Sequence, residues 1–229
     1  MKPLRTSASR LRKPAPAILL KLYRSLRGHY GHRKWWPGES PFEVIVGAIL
    51  TQNTSWKNVE KAIANLKKAG VLTPGRLSRL SHGRLASLIR PAGYFNVKAD
   101  RIRAFMRFLN RHYEGNLHYL FRADWRKVRE ELLSVRGIGP ETADAILLYA
   151  GQKPSFVVDT YTRRLLTRHQ FIHGSETYEE IRNLIQEGIP RRTGLYNDYH
   201  AQIVEVGKHH CRPQPRCKSC PLHFDLINR

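Results

Sequence analysis

Apolar residues recur along this chain at helical spacing, and no long segment shows the two-residue alternation of a half-buried strand. In KNVEKAIANLKKAG, Val59, Ala62, Ile63 and Leu66 share one face, and Gly70 supplies a natural stop. In ADRIRAFMRFLNRHY, Ile102, Phe105, Met106 and Leu109 do the same, with arginines on the opposite face. Thr73-Pro74, Ser81 and Asp124 have the chemistry of helix starts, while Gly93 and Gly137 have that of helix exits. TYEEIRNLIQEGIP and DYHAQIVEVGKHH continue the pattern. SFVV, residues 155–158, reads as a strand, but four residues cannot build a sheet. The expected fold is all-α, made of short helices.

Charge narrows the partners. Lys and Arg number 40 against 18 Asp and Glu, a formal net charge of +22, so the folded surface concentrates polyanions near it. Lys2, Arg5, Arg10, Arg12, Lys13, Lys21, Arg24, Arg27, Arg33 and Lys34 fall within residues 1–38, which hold no acid. Residues 1–16 therefore read as a basic flexible tail, either lying along phosphates or simply solvated. Pro3, Pro14 and Pro16 interrupt any amphipathic transit helix there, which favours a cytoplasmic, nucleoid-associated protein. No segment reaches the roughly 20 apolar residues of a membrane span, so no membrane partner is expected. The 229 residues suffice for one large domain or two small ones, and a monomer is expected. All three cysteines lie between 211 and 220, an odd, clustered set that suits a metal or cluster site better than bridges.

The densest chemistry sits in RGIGPETADAILLYAGQKPSFVVDTYTRR, residues 136–164. Gly137 and Gly139 surround Ile138 in a turn between two helices. Both glycines permit positive φ and close backbone approach, and Ile138 would plug the turn into the core. The next helix begins near Pro140, Glu141 and Thr142, so its free N–H groups suit a phosphate oxygen. The segment reads as a helix-hairpin-helix gripping DNA backbone, or as an ordinary corner between helices. Asp159 follows an apolar run and precedes a helix, with Arg163 and Arg164 beside it. It reads as an N-cap or as a catalytic carboxylate, since a carboxylate placed only to hold DNA would repel it.

Taken together, Gly137-Ile138-Gly139, Thr142-Ala143 and Val157-Val158-Asp159 resemble the helix-hairpin-helix and Gly/Pro-Asp signature of the endonuclease III superfamily of DNA glycosylases. ILTQNT (49–54) is similar to the segment whose Gln enters the space left by a flipped nucleotide, and GYFNVKA (93–99) to the wedge loop. The resemblance spans about residues 30–220. It implies two helical domains flanking a DNA-binding cleft, one discontinuous over 17–40 plus 151–229, the other a six-helix domain over 41–150. It also implies double-stranded DNA with a damaged base as partner, Asp159 as catalytic group, Gln52 as hole filler, Tyr94 as wedge, and Gly137, Ile138, Gly139, Thr142 and Arg163 as DNA contacts.

Bifunctional members of that superfamily carry a Lys directly before the TA pair, whose amine forms a Schiff base with the sugar. This chain has Glu141 there, so release of the base without strand cleavage is expected; Glu141 is equally a first-turn acid that suits the helix dipole. Trp35, Trp36 and Trp56 lie close to Gln52 in sequence, and WWP with LTQNTSW resembles the bacterial 3-methyladenine DNA glycosylases of endonuclease III type. With Glu141 they are base-pocket candidates, because electron-rich ring faces select a cationic base; packing in the core is the other reading of the tryptophans. The alternatives are a bifunctional glycosylase/lyase on oxidised pyrimidines and a noncatalytic binder of DNA structures. Cys211, Cys217 and Cys220 are spaced C-x5-C-x2-C, against C-x6-C-x2-C-x5-C in iron-sulfur members, and Leu226 stands at the fourth place. A [4Fe-4S] cluster completed by Asp225 or His223, a zinc site completed by His223, His210 or His209, and a loop without metal are all open.

Overall fold

The computed structural model describes residues 16–33 and 35–227. The expected basic tail lies outside the described residues up to position 15, as does Lys34, and Pro16 opens the first helix. In chain order the helices are α1 (Pro16–Tyr30), α2 (Pro41–Leu50), α3 (Trp56–Lys68), α4 (Pro74–Leu77), α5 (His82–Leu88), α6 (Phe95–Tyr113), α7 (Leu117–Arg122), α8 (Trp125–Ser134), α9 (Pro140–Ala145), α10 (Thr160–Arg168), α11 (Tyr178–Gly188), α12 (Thr193–His209) and α13 (His223–Ile227). A five-residue π-helical stretch, Ile146–Ala150, prolongs α9. Among the described residues there is no strand: 155–158 is irregular chain whose four side chains are buried. No described helix is long and apolar enough to cross a membrane.

Local chemistry sets the boundaries. Ser40, Ser81 and Asp124 accept hydrogen bonds from the first-turn N–H groups of Glu43, Arg84, and Arg126 with Lys127. Thr177 and Glu180 close a reciprocal capping box at the start of α11. Pro41, Pro74 and Pro140 occupy first-turn positions where a missing N–H costs nothing.

The chain forms two compact units. One holds Lys34–Val157 with Arg192–Asn197, the other the chain up to Arg33, Val158–Arg191 and Asp198 onward. These boundaries differ from an expected break at 40/41 because Trp36 packs on Trp56 and Tyr149, with ring centroids 5.0 and 5.1 Å away.

In the Lys34–Val157 unit, α2 is the central element. Every residue from Phe42 to Leu50 is buried, as a helix with one charged residue among apolar ones requires, and that residue, Glu43, is paired with Lys67. Beside it lies a buried ion pair: Arg129 on α8 donates Nε and Nη2 to Asp144 on α9 at 2.8 and 3.0 Å, and the Ser155 hydroxyl also donates to Asp144.

In the other unit, Asp198 on α12 accepts from Tyr23 Oη (2.7 Å) and from the Arg33 backbone N–H (2.8 Å). Tyr199 donates to the Leu19 carbonyl at 2.9 Å, and Gly188 on α11 leaves no room for a Cβ, which would stand 2.5 Å from Leu19 Cδ1. These contacts hold α1 against α11 and α12.

Candidate active site

The hairpin between α8 and α9 uses its two glycines differently. Gly137 has φ +87°, and a Cβ there would lie 2.3 Å from Arg101 Cγ, so both backbone and space require glycine. Gly139 is extended (φ −91°, ψ 178°), and a Cβ there would meet nothing within 4 Å. The expected left-handed freedom is therefore used at Gly137 alone. Ile138 is 4% exposed and its N–H donates to the Val135 carbonyl at 3.0 Å. It anchors the turn from below, and its side chain is no surface contact. Gly137→Ala is expected to lower stability by about 1–3 kcal/mol, read from the urea midpoint. Gly139→Ala should stay within about 0.5 kcal/mol of the parent.

Around this turn, long side chains converge from neighbouring helices. Gln52, in the α2–α3 turn, donates Nε2 to the Gly137 carbonyl at 3.0 Å and to Thr142 Oγ1 at 2.9 Å, and its Oε1 accepts from Arg101 on α6. Thr142 is 6% exposed and serves as Gln52's acceptor. Lys98 on α6 is 1% exposed and donates Nζ to the carbonyls of Leu50 (2.9 Å) and Ala92 (2.7 Å). Burial and the neighbouring Arg101 charge push its pKa down to about 8. Tyr94 precedes α6 with φ +45° and is 72% exposed. Most of the segment expected as a wedge loop, from Phe95 on, is the first turn of α6, leaving Gly93 and Tyr94 as its crown.

The tryptophans form a corner in the same unit. Trp36 meets Trp56 edge-on, with 89° between the ring planes, and Trp35 meets Trp36 at 6.0 Å. Trp36 and Trp56 are half-buried and, with Gly47, Ile63 and the acids Glu43 and Glu60, line a cavity of about 180 Å³. Trp56 Nε1 donates to Glu60 Oε1 at 2.7 Å, which fixes its ring. Lys67 pairs with Glu43 at 2.9 Å and with Glu39 at 2.8 Å. Glu141 is exposed in the first turn of α9 and is not among the residues lining this cavity.

Asp159 caps α10: its Oδ1 accepts from the Thr162 N–H at 2.8 Å and from Thr162 Oγ1 at 2.9 Å. Its Oδ2 lies 3.5 Å from Nε2 of His200 on α12, and its side chain is 14% exposed. Burial alone would raise its pKa, but the His200 charge and the Thr162 donors outweigh that, and the carboxyl is held below its ordinary value. His200 is absent from the sequence-based assignment. Forty-one positions separate the pair, and the only local signal is a histidine in the periodic run DYHAQIVEV. Arg163 turns elsewhere, donating to the Glu176 carbonyl at 2.6 Å, while Arg164 donates to the Cys211 carbonyl at 2.6 Å.

Cys211, Cys217 and Cys220 line one small cavity with His210, Leu222 and Leu226. Among the described residues no group of three or more His, Cys, Asp and Glu side chains is placed to hold a metal ion. Of the alternative fourth ligands, His210 shares that cavity with the three cysteines, and the other three are placed elsewhere. Asp225 is 2% exposed and bound to His169 Nδ1 at 2.6 Å, His209 reaches Glu205 at 3.5 Å, and His223 does not line the cavity. Instead, Arg168 donates to Cys211 Sγ at 3.3 Å and to the Pro213 carbonyl at 2.8 Å. Burial pushes the Cys220 thiol pKa up. The donor set therefore does not fit a four-thiolate cluster, and no step of the chemistry below runs through one.

A hairpin that presents backbone, a capped and ionised aspartate twenty residues on, and a strongly basic chain have close counterparts among known proteins. A candidate DNA repair glycosylase of Methanocaldococcus jannaschii is 44% identical over 207 residues, covering 90% of this chain and 94% of the relative. The endonuclease III of Thermotoga maritima is 31% identical, covering 82% of this chain and 84% of the relative. The crystal structure of a Helicobacter pylori 3-methyladenine DNA glycosylase bound to 1,N6-ethenoadenine superposes with a TM-score of 0.74 at 29% identity, covering 85% of this chain and 98% of that one. Residues 46–191 match the family described as HhH-GPD superfamily base excision DNA repair protein. With the hairpin and the aspartate at their places in that span, this chain belongs to the HhH-GPD superfamily and is a base excision repair DNA glycosylase.

Proposed function

We propose that the enzyme is monofunctional: it extrudes an alkylated, cationic nucleotide of the 3-methyladenine kind from double-stranded DNA and hydrolyses its N-glycosidic bond, leaving an abasic site. The observation that carries this reading is the half-buried corner of Trp36 and Trp56 on one cavity, whose charged lining is Glu60 and the paired Glu43 and Lys67. Electron-rich ring faces favour a positively charged base over a neutral one of the same shape. The similarity to the Helicobacter pylori 3-methyladenine DNA glycosylase supports the same substrate class.

An alkylated base carrying positive charge leaves without prior protonation. The bonding pair of the C–N bond departs with the base and neutralises it, while positive charge develops on the deoxyribose. The ionised Asp159 stabilises that charge, water adds to C1′, and the proton lost by the water passes to the carboxylate. Glu141 cannot form an imine at the place where bifunctional relatives carry Lys. Lys98, whose lowered pKa suits a nucleophilic amine, is 1% exposed and occupied by two carbonyls. The hairpin and the basic surface contribute phosphate contacts, and Tyr94 acts as an intercalating wedge.

The test compares duplexes carrying 3-methyladenine with duplexes carrying an oxidised pyrimidine. The expected result is free 3-methyladenine, with strand breaks appearing only after alkali. Breaks before alkali on the oxidised-pyrimidine duplex would reject this reading in favour of a glycosylase/lyase, and binding without base release would reject catalysis. Trp56→Ala should weaken selection of the cationic base over neutral purine by about 3- to 30-fold with DNA affinity unchanged. Equal losses in both would assign Trp56 to the core.

A further inference from the structure

Asp159 is held by more than a helix start needs. A cap is complete when a carboxylate oxygen accepts first-turn N–H groups, as at α8, where Asp124 Oδ1 accepts from the Arg126 and Lys127 backbone and the side chain stays exposed. At α10 the corresponding oxygen, Oδ1 of Asp159, takes the Thr162 N–H at 2.8 Å and the Thr162 hydroxyl as well, at 2.9 Å. Thr162 is fully buried, so bulk water does not compete for that hydroxyl.

A threonine inside a helix ordinarily turns its hydroxyl back to a carbonyl three or four residues earlier. Thr167, further along α10, does this, donating to the Arg163 carbonyl at 2.9 Å. Thr162 donates to a side chain instead. Valine, of the same shape, would fill the place with no buried hydroxyl to satisfy.

The titratable groups around Asp159 come from neighbouring helices. On α12, Nε2 of His200 stands 3.5 Å from Oδ2. On α11, the Tyr178 hydroxyl accepts the N–H of Val158, the residue before Asp159, at 3.3 Å. On α10 itself, Arg163 and Arg164 donate to the carbonyls of Glu176 and Cys211. Burial raises the Asp159 pKa, and His200 with the two Thr162 donors brings it below its ordinary value.

We propose that Thr162 is a positioning residue for base release: its hydroxyl fixes the Asp159 carboxylate through Oδ1 and so keeps Oδ2 for the positive charge that develops on the deoxyribose. The last torsion of an aspartate is otherwise broad, and one hydrogen bond on Oδ1 leaves the group free to swing. A second donor on the same oxygen narrows that motion, and a charge stabiliser works only where it is already aimed. This inference rests on the reading of Asp159 as the catalytic carboxylate and is independent of which damaged base is released.

The experiment uses the full chain and two duplexes, one holding a tetrahydrofuran abasic analogue, the other a pyrrolidine analogue whose ring ammonium stands for positive charge on the sugar. The ratio of the two affinities at neutral pH reads the carboxylate, and no base is released. In parallel, the carboxyl carbon signal of Asp159, identified by its loss in Asp159→Asn, is titrated by NMR in the free protein. Thr162→Val removes the hydroxyl and keeps the backbone N–H and the side-chain shape. It is expected to lower the preference for the pyrrolidine duplex by about three- to tenfold, with tetrahydrofuran affinity unchanged, and to raise the carboxyl midpoint by about one pH unit, the worth of a hydrogen bond to an ionised group. Thr162→Ser restores the donor and should return both readouts to the parental values.

A parental preference or a parental midpoint in Thr162→Val overturns the proposal, as does an equal loss of affinity for both duplexes. A loss in Thr162→Ser also overturns it, by assigning the effect to the buried methyl. A parental midpoint at or above the ordinary aspartate value overturns it without any variant. Asp159→Asn should abolish the pyrrolidine preference. If it does not, or if the parent has no such preference, the reading of Asp159 falls and the proposal with it. A preference that Asp159→Asn abolishes and Thr162→Val keeps defeats the proposal alone.

Discussion

Asp159→Asn is expected to slow base release by about 10²- to 10⁴-fold while leaving DNA affinity close to the parent. The reason lies in the division of labour between the two carboxylate oxygens. Oδ1 caps α10 through Thr162, and an Asn carbonyl caps almost equally well, so the helix start survives. The negative charge beside His200 does not. Single-turnover release from alkylated DNA, alongside binding to an abasic-analogue duplex, separates the two roles, and parental turnover in Asp159→Asn would sink the catalytic assignment. Asp159→Ala should lose the cap as well.

The same site predicts a pH dependence. The folded-state pKa of Asp159 is depressed, so it contributes stability that is present above the ordinary aspartate value of about 3.9 and is lost as pH falls through the folded value. Base release should therefore persist below the pH at which a free aspartate protonates. His200→Gln removes the imidazole whose interaction with Asp159 opposes desolvation, so the acid limb of the rate profile should move to higher pH, which a merely structural histidine would not cause.

Asp144→Ala should cost about 3–5 kcal/mol of stability, read from urea unfolding. Asp144 is fully buried and meets the Arg129 guanidinium, itself only 13% exposed, in a two-pronged pair. Removing the carboxylate leaves that cation buried with no counter-charge from Asp144 and deprives Ser155 of its acceptor. Replacing Arg129 and Asp144 together with leucines should recover much of the loss, because both charges then leave the interior. If the double variant is no more stable than Asp144→Ala, the pair is not the source of the effect.

Much of this was legible from residue patterns. The amphipathic faces of α3 and α6 are visible because one side of each helix is solvated, and the caps at Ser81 and Asp124 are local chemistry. α2 carries no period, since a helix buried all round leaves no polar face to mark its turn. The hairpin could be placed by its glycines, but nothing local distinguishes Gly137, which needs positive φ, from Gly139, which does not. Asp144 sits in an otherwise apolar run, and its reason for being there is an arginine fifteen positions away. The Asp159–His200 and Gln52–Gly137 contacts join positions 41 and 85 apart, so only tertiary folding brings them together. The gap at Leu226 was visible from spacing alone, whereas the engagement of Asp225 with His169 required coordinates.

The two units differ in how their chain is drawn, and this bears on synthesis. The one around α2 comes mostly from a single run, Lys34–Val157, so its central helix finds most of its neighbours while the ribosome is still making the rest. The other is stitched from three stretches, and α1 must wait for partners such as Asp198, 175 positions downstream of Tyr23. During that delay Leu19, Leu22 and Leu26, all buried at the end, lack the cover that α11 and α12 later give, which leaves α1 open to aggregation or chaperone capture.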